Sequence, residues 1–422
     1  MHGSRRLWVT LTLLASALWP TWAYSGGTSF DTNSASVAAR GWAVTADLDD
    51  PSVVWFNPGG MGFQKERFNI MAGVCLVVPR IKYSDPEGNR PSSNGTNRFT
   101  AVPNLYIMGN FGSERQFSWG LSVVLPFGLA SKYESDWTGS GLVTLSELRS
   151  IFISPSFSYR INKYVSLGAS LNLVLATIRL NRALQLPGPD GVIGGTANLG
   201  GGPTFAVGGT FGIQARYKGL RLGFVYHSRT KMKFKGKADF NAPEPYNAGL
   251  LDQDIKATLG TPDNMWLGIG YHITNKVYLE LDVRVTLWKY VSKEIVLEFE
   301  KPLNGTLDQQ VIKQDWRNAW TFYVGGYAKP IPELTVRFGT GFDLTPIPSY
   351  SLGPLVPDAN RFLLSGGLGY EHIKSGFYTD VAYNLVLMIP RTVLSTESQD
   401  GFAQKWKNVI HLVTINLGWK YL

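Results

Sequence analysis

The sequence predicts an all-β fold, a 14-stranded antiparallel transmembrane β-barrel with an N-terminal hatch plugging the lumen. Three observations predict it. Apolar and polar residues alternate over segments of about a dozen residues, twice the usual length of a soluble strand. Aromatic residues collect at the segment ends. The stretch ahead of the first alternating segment does not alternate at all.

Composition excludes the competing classes. Of 422 residues, 44% are hydrophobic and 17% charged, against about 25% charged in a soluble domain. Beyond residue 23 there is no run of about 20 apolar residues, so spanning by helices is excluded. Cys75 is the single cysteine, which rules out a disulfide framework. It lies in an apolar strand and reads as a small packed hydrophobe. The formal charge is +9. That excess is spread without a long basic block, so no nucleic-acid partner is expected.

Residues 1–23 read as a signal peptide. Arg5 and Arg6 form the positive start, Leu7 to Leu18 the apolar run, and Thr21-Trp22-Ala23 the small-residue cleavage site. The mature chain is expected to begin after Ala23. Residues 24–66 are the expected hatch. They carry Asp47-Leu48-Asp49-Asp50-Pro51, then Val53-Val54-Trp55-Phe56, then Asn57-Pro58-Gly59-Gly60. A compact plug keeps Trp42, Trp55 and Phe56 out of water; a loose external tail would not.

Residues 67–422 are the expected barrel. Between residues 276 and 288, Val277, Leu279, Leu281, Val283, Val285 and Leu287 share one parity. Tyr278, Glu280, Asp282, Arg284, Thr286 and Trp288 share the other. Successive strand side chains point to opposite faces, so one face is aliphatic and the other ionic. The same alternation runs through 164–176 and 413–421. The predicted strands are 67–83, 98–112, 116–128, 146–161, 164–181, 203–217, 219–235, 262–273, 276–298, 314–329, 333–345, 359–373, 376–389 and 407–421. A β-sandwich with its aliphatic faces inside is the alternative; long strands and regular ionic faces weigh against it. Short turns fall at Ser113-Glu114, Asn162-Lys163, Asn275-Lys276, Pro332-Glu333 and Lys374-Ser375. Tyr290, Trp266, Trp316, Trp320, Trp406, Trp419 and Tyr421 are expected to form the girdles at the two lipid boundaries.

Several motifs resemble one known family in order along the chain. Asp49-Asp50-Pro51-Ser52-Val53-Val54-Trp55-Phe56-Asn57-Pro58-Gly59-Gly60-Met61 resembles the hatch of the FadL/TodX-like long-chain fatty acid transporters of bacterial outer membranes. Leu125-Pro126-Phe127-Gly128-Leu129-Ala130, with Tyr133, Asp136 and Trp137, is similar to that family's third strand and following loop. Leu222-Gly223-Phe224-Val225-Tyr226-His227-Ser228, Pro262-Asp263 and Trp288 resemble its middle strands. Leu355-Val356-Pro357-Asp358-Ala359-Asn360-Arg361 resembles its late loop.

The resemblance implies a plugged 14-stranded barrel in the outer membrane, serving passive uptake of long-chain fatty acids or similar hydrophobic molecules. Ligand would pass from an external site to a lumen site and out through a lateral gap at a kink in the third strand. No enzyme activity, cofactor or metal is implied, and the partners are the hydrophobic cargo and outer-membrane lipid, with a monomeric barrel expected. An aromatic-hydrocarbon channel and a surface adhesin or antigen on the same barrel are the alternatives.

Pro126, Phe127 and Gly128 suit the kink, since proline cannot donate to a ladder and glycine marks a bend; an ordinary strand-ending turn is the plainer reading. Asn57, Pro58 and Gly59 match the family's Asn-Pro-Ala hatch motif, with Gly59 in place of Ala. A buried carboxylate needs a cation. Arg182 has inward parity at the end of the fifth strand, near where the family places a cationic contact. Arg284 reads as part of a wall ion network, and Arg40 fits either role. Phe30, Trp55 and Phe56 fit a ligand site or plug packing equally. Leu186 to Pro203 is rich in Gly and Pro and reads as a loop. A hydrolase would need a Ser-His pair on one face, and adjacent His227 and Ser228 face opposite ways.

Overall fold

The computed structural model describes residues 34–421, apart from 96–98, 113, 189, 190, 245 and 304–306. The expected signal peptide, residues 1–23, and Phe30 lie outside the described residues.

The wall is a closed barrel of 14 antiparallel strands. They are β1 (Phe68–Ser84), β2 (Thr100–Phe111), β3 (Phe117–Val124 and Gly128–Lys132), β4 (Leu145–Arg160) and β5 (Val165–Gly188). Then come β6 (Gly191–Tyr217), β7 (Leu220–His227 and Thr230–Asn241), β8 (Gln253–Thr261 and Asn264–Thr274) and β9 (Val277–Thr286 and Glu294–Leu303). β10 (Leu307–Lys313 and Ala319–Ile331), β11 (Leu334–Asp343), β12 (Arg361–His372), β13 (Phe377–Met388) and β14 (Gln404–Tyr421) complete the ring. β14 pairs with β1 along its whole length, from Phe68↔Tyr421 to Ser84↔Lys405. No edge is left there.

Burial is inverted relative to a soluble protein. Leu267, Ile269 and Leu281 are about half exposed at 57%, 52% and 47%, while Glu280 and Asp282 are 2% and 0% exposed. An apolar exterior of this extent is stable only against lipid. The short turns gather at one end, and strand extensions and long connections at the other.

Three features differ from the sequence reading. The expected loop Leu186 to Pro203 is instead the tip of a hairpin, with β5 and β6 paired as far as Gly188↔Gly191. Its glycines disfavour a strand locally, but ladders to β5 and to β7 hold them extended. Gln253–Thr261 and Leu307–Lys313 are also strand, beyond the predicted limits of the eighth and tenth strands. Trp266, Trp316 and Trp406 are buried inside and take no part in a girdle. In β8 and β14 they lie on the inward parity. Tyr290, Trp320 and Tyr421 are exposed at the strand ends.

Residues 34–66 lie within the bore. Helices α1 (Ala35–Ala39) and α2 (Val53–Phe56) and a 3-10 turn (Pro58–Phe63) are each too short to stand alone. Contact with the wall holds them. Asp282 accepts from the Val44 and Thr45 amides at 2.9 Å, and Glu280 from the Ala46 amide at 2.6 Å. Asn416 accepts from the Ala35 amide at 2.7 Å. The wall's inward polar side chains thus satisfy the hatch backbone, as a buried irregular segment requires.

Candidate functional site

The site begins at the interruption of β3. Val124 lies opposite Phe152 and Gly128 opposite Arg149. Leu125, Pro126 and Phe127 therefore face only Ser150 and Ile151 on β4, a one-residue bulge. Ser150 Oγ donates to the Phe127 carbonyl and holds the bulge. The β2–β3 ladder runs from Leu105↔Val123 to Phe111↔Phe117. Above it, Thr100–Asn104 is laddered to β1 and, among the described strands, to no other. Gly128–Lys132 bonds to β4 alone among the described strands. Two strand edges thus face each other without a ladder.

β7, β8 and β9 are interrupted near the same level, at Ser228-Arg229, Pro262-Asp263 and the Trp288–Tyr290 turn. Asp263 ties two of these breaks together, accepting from Tyr226 Oη at 2.7 Å and from the Arg229 amide at 2.9 Å.

Behind the β3 break lies a cavity of about 20 Å³ lined by Trp55, Pro126, Phe127, Phe152, Asn172, His227 and Trp266, among others. Trp55 meets Phe152 edge-on at 5.6 Å and the His227 ring at 5.1 Å, and His227 lies 4.4 Å from Trp266. Asn172 Nδ2 donates to Thr210 Oγ1 at 2.9 Å, and Thr210 Oγ1 lies 2.8 Å from His227 Nδ1. Which of Thr210 Oγ1 and His227 Nδ1 donates across that contact depends on the imidazole tautomer. Both His227 Nε2 and Trp55 Nε1 are buried without a partner. The Trp55 indole N–H beside a space of this size offers it to an acceptor.

A second cavity, of about 110 Å³, lies toward the long-connection end. Its walls are apolar, among them Leu148, Ile178, Phe234, Leu297, Trp288 and Trp316. The two tryptophans meet edge-on at 4.9 Å. Glu147 and Arg179 stand at its rim, 3.9 Å apart.

Among the sequence-predicted residues, Trp55, Pro126 and Phe127 come together at the small cavity, with Gly128 resuming the strand beside it. Phe56 packs 6.2 Å from Trp266. Asn57 Nδ2 donates to the Thr45 carbonyl at 2.7 Å and to Ile213 on β6 at 3.1 Å, while its Oδ1 accepts from the Gly59 amide at 3.0 Å. It braces the hatch turn against the wall. Pro58 and Gly59 lie against β6 so closely that a Cβ on Gly59 would stand 2.7 Å from the Gly212 carbonyl oxygen. Arg40 is buried in an ion pair with Glu280 at 2.7 Å, stacked beside Tyr278 and Tyr327. Arg284 lies over Trp266, 3.9 Å from the ring centre. Arg182 stands apart from both cavities and reaches Gln310 at 3.5 Å.

The sequence reading did not single out Phe152, Asn172, Trp266 or Arg179 as site residues. Inward parity marked the first three, but parity does not say which strands stand at one height. Among the described residues no cluster of His, Cys, Asp and Glu could hold a metal ion.

The chain is 25% identical to the long-chain fatty acid transport protein of Escherichia coli (strain K12) over 402 residues, 86% of this chain and 88% of the relative. It is 25% identical to the putative outer membrane protein NMB0088 of Neisseria meningitidis serogroup B, covering 89% and 88%. The solved Pseudomonas aeruginosa FadL homologue superposes with a TM-score of 0.81 at 21% identity, over 94% of this chain and 100% of that one. The Pseudomonas putida toluene transporter TodX gives 0.72 at 17% identity, over 93% and 99%. The family described as outer membrane protein transport protein (OMPP1/FadL/TodX) matches residues 16–419. With the match, the closed barrel and the filled bore in agreement, the chain belongs to the OMPP1/FadL/TodX family of outer-membrane transport proteins.

Proposed function

We propose that this protein carries hydrophobic small molecules, with long-chain fatty acids as the cargo, passively across the outer membrane. Cargo enters the large apolar cavity at the external end, passes the hatch and leaves sideways at the β3 break. The observation that carries this reading is the pair of unladdered edges, Thr100–Asn104 and Gly128–Lys132, beside the cavity lined by Trp55. A closed ladder there would seal the wall.

Trp55 and Phe56 form the apolar floor of the path, Asn57, Pro58 and Gly59 hold that floor in register, and Pro126, Phe127 and Gly128 keep the wall unlaced. Arg40 is committed to Glu280 and serves to seat the hatch. Arg179 at the rim, with Arg182 above it, supplies positive charge for a carboxylate. The partnerless Trp55 donor, with the unpartnered His227 Nε2 beside it, supports a cargo with an oxygen on its head over a bare hydrocarbon. The toluene transporters among the structural neighbours supply the second reading, an aromatic-hydrocarbon channel.

The test is purification of the full chain in detergent, mass spectrometry of co-purified lipid, and titration with oleate and with toluene. Bound fatty acid and saturable oleate binding are expected. Toluene binding without oleate binding would move the cargo to aromatic hydrocarbons. Binding of neither by a folded barrel would favour the adhesin class and overturn the transport reading.

A further inference from the structure

The external half of β7 reads Thr230-Lys231-Met232-Lys233-Phe234-Lys235-Gly236-Lys237-Ala238. Met232, Phe234 and Ala238 are buried inward, and all four lysines are exposed on the outer wall. At strand spacing the row spans about 20 Å. Lys235 lies directly across from Lys256 on β8. On the other side Lys237 is opposite Gly200, and Gly200 is opposite Arg179. Gly200 has no side chain, so it puts nothing between the two charges.

Acids flank the row, among them Asp239, exposed on the same face two residues beyond Lys237. Asp254 lies across from Lys237, Glu298 across from Lys256, and Glu147 beside Arg149 and Arg179. None of the five lysines has a carboxylate within ion-pair distance among the described residues. Like charges directly opposite one another across a ladder are destabilising. Such a row persists most readily where an anion meets it.

Its height identifies the anion's source. Tyr290 on the β9 turn is exposed, as is Phe205 on β6. Thr204, next to Phe205, donates to the Lys233 carbonyl at 2.7 Å. These rings mark the external lipid boundary, so the lysines stand at headgroup level.

We propose that Lys231, Lys233, Lys235 and Lys256, with Arg179 beside them, form a docking face for a phosphate-bearing lipid headgroup of the external leaflet. Several ammonium groups along about 13 Å of strand suit a headgroup with more than one phosphate.

The full-length protein in a neutral detergent is titrated with a bis-phosphorylated glycolipid and with its dephosphorylated form, read by native mass spectrometry at low and high salt. The phosphorylated lipid is expected to bind at least tenfold more tightly, with affinity falling as salt rises. A variant carrying Lys231→Gln, Lys233→Gln, Lys235→Gln and Lys256→Gln should lose that preference while the barrel still forms. Equal binding of both lipids, or an unchanged preference in the folded variant, overturns the proposal. Should the variant fail to form a barrel, the phosphate and salt comparisons on the unaltered protein decide. Oleate binding is independent of these lysines, so failure here leaves the transport reading standing, and the reverse.

Discussion

Arg40 Nη2 of the hatch and Glu280 Oε2 of the barrel wall lie 2.7 Å apart, both side chains buried. The same carboxylate accepts from the Ala46 amide and from Tyr278 Oη, so it is the hub where plug and wall meet. Removing one partner leaves a buried charge unmet, which costs about 3 kcal/mol or more. Arg40→Ala and Glu280→Ala are each expected to loosen the plug. Single-channel recordings in a planar bilayer should show frequent openings where the parent protein is quiet. Background conductance in both variants would show that the pair does not hold the plug.

Asp47 anchors the hatch at the short-turn end. It pairs with Arg216 at 2.7 Å, His272 at 3.5 Å and Arg221 at 3.9 Å. Burial alone would raise its carboxyl, but Arg216 and the His272 hydrogen bond outweigh burial and hold it below its usual 3.8. A depressed carboxylate stabilises the fold above its unfolded value and loses that contribution as pH falls through the folded one. Asp47→Asn should therefore conduct more than the parent near neutral pH. The difference should shrink as the pH drops below 3.8. A difference that is constant with pH would refute the assignment.

Gly59→Ala is expected to harm this protein. The added methyl would lie 2.7 Å from the Gly212 carbonyl oxygen, which belongs to a wall strand and has little freedom to move. Overpacking of this kind costs about 1–3 kcal/mol. The readouts are a lower unfolding temperature and a leakier barrel. A variant indistinguishable from the parent would mean that the hatch turn has slack.

Deleting Pro126 should lace the wall. It leaves two residues facing Ser150 and Ile151 in place of three and removes the one residue that has no amide to donate. The barrel is expected to form normally, with oleate still bound but uptake by cells largely lost. Undiminished uptake by the deleted form would rule out the lateral exit.

The barrel was legible because its physics is local. Alternation is written into each strand, so Leu279 and Leu281 declare one face and Glu280 and Asp282 the other without knowledge of the neighbours. The ends of strands were less legible. Gly194 to Pro203 extends only because β5 and β7 flank it. Position at a strand end points Trp266, Trp316 and Trp406 to the girdle, whereas their facing puts them inside. The hatch's Trp55 and Asn57 stood out by composition, but the partner of Arg40 is 240 residues away, and nothing in either sequence neighbourhood names the other. The cavity behind the break depends on four strands standing at one height. Parity points to inward residues such as Arg182 and passes over Arg179, which faces outward at the rim of the outer cavity.

The seam between β1 and β14 joins 17 residue pairs from opposite ends of the barrel sequence. The ring cannot shut until its last strand has been delivered, whereas the plug is made before any wall exists. The order of the chain therefore favours loading of the bore by residues 34–66 before or during circularisation. The stopper is in this sense built in during assembly, a ship raised inside its bottle before the neck is drawn.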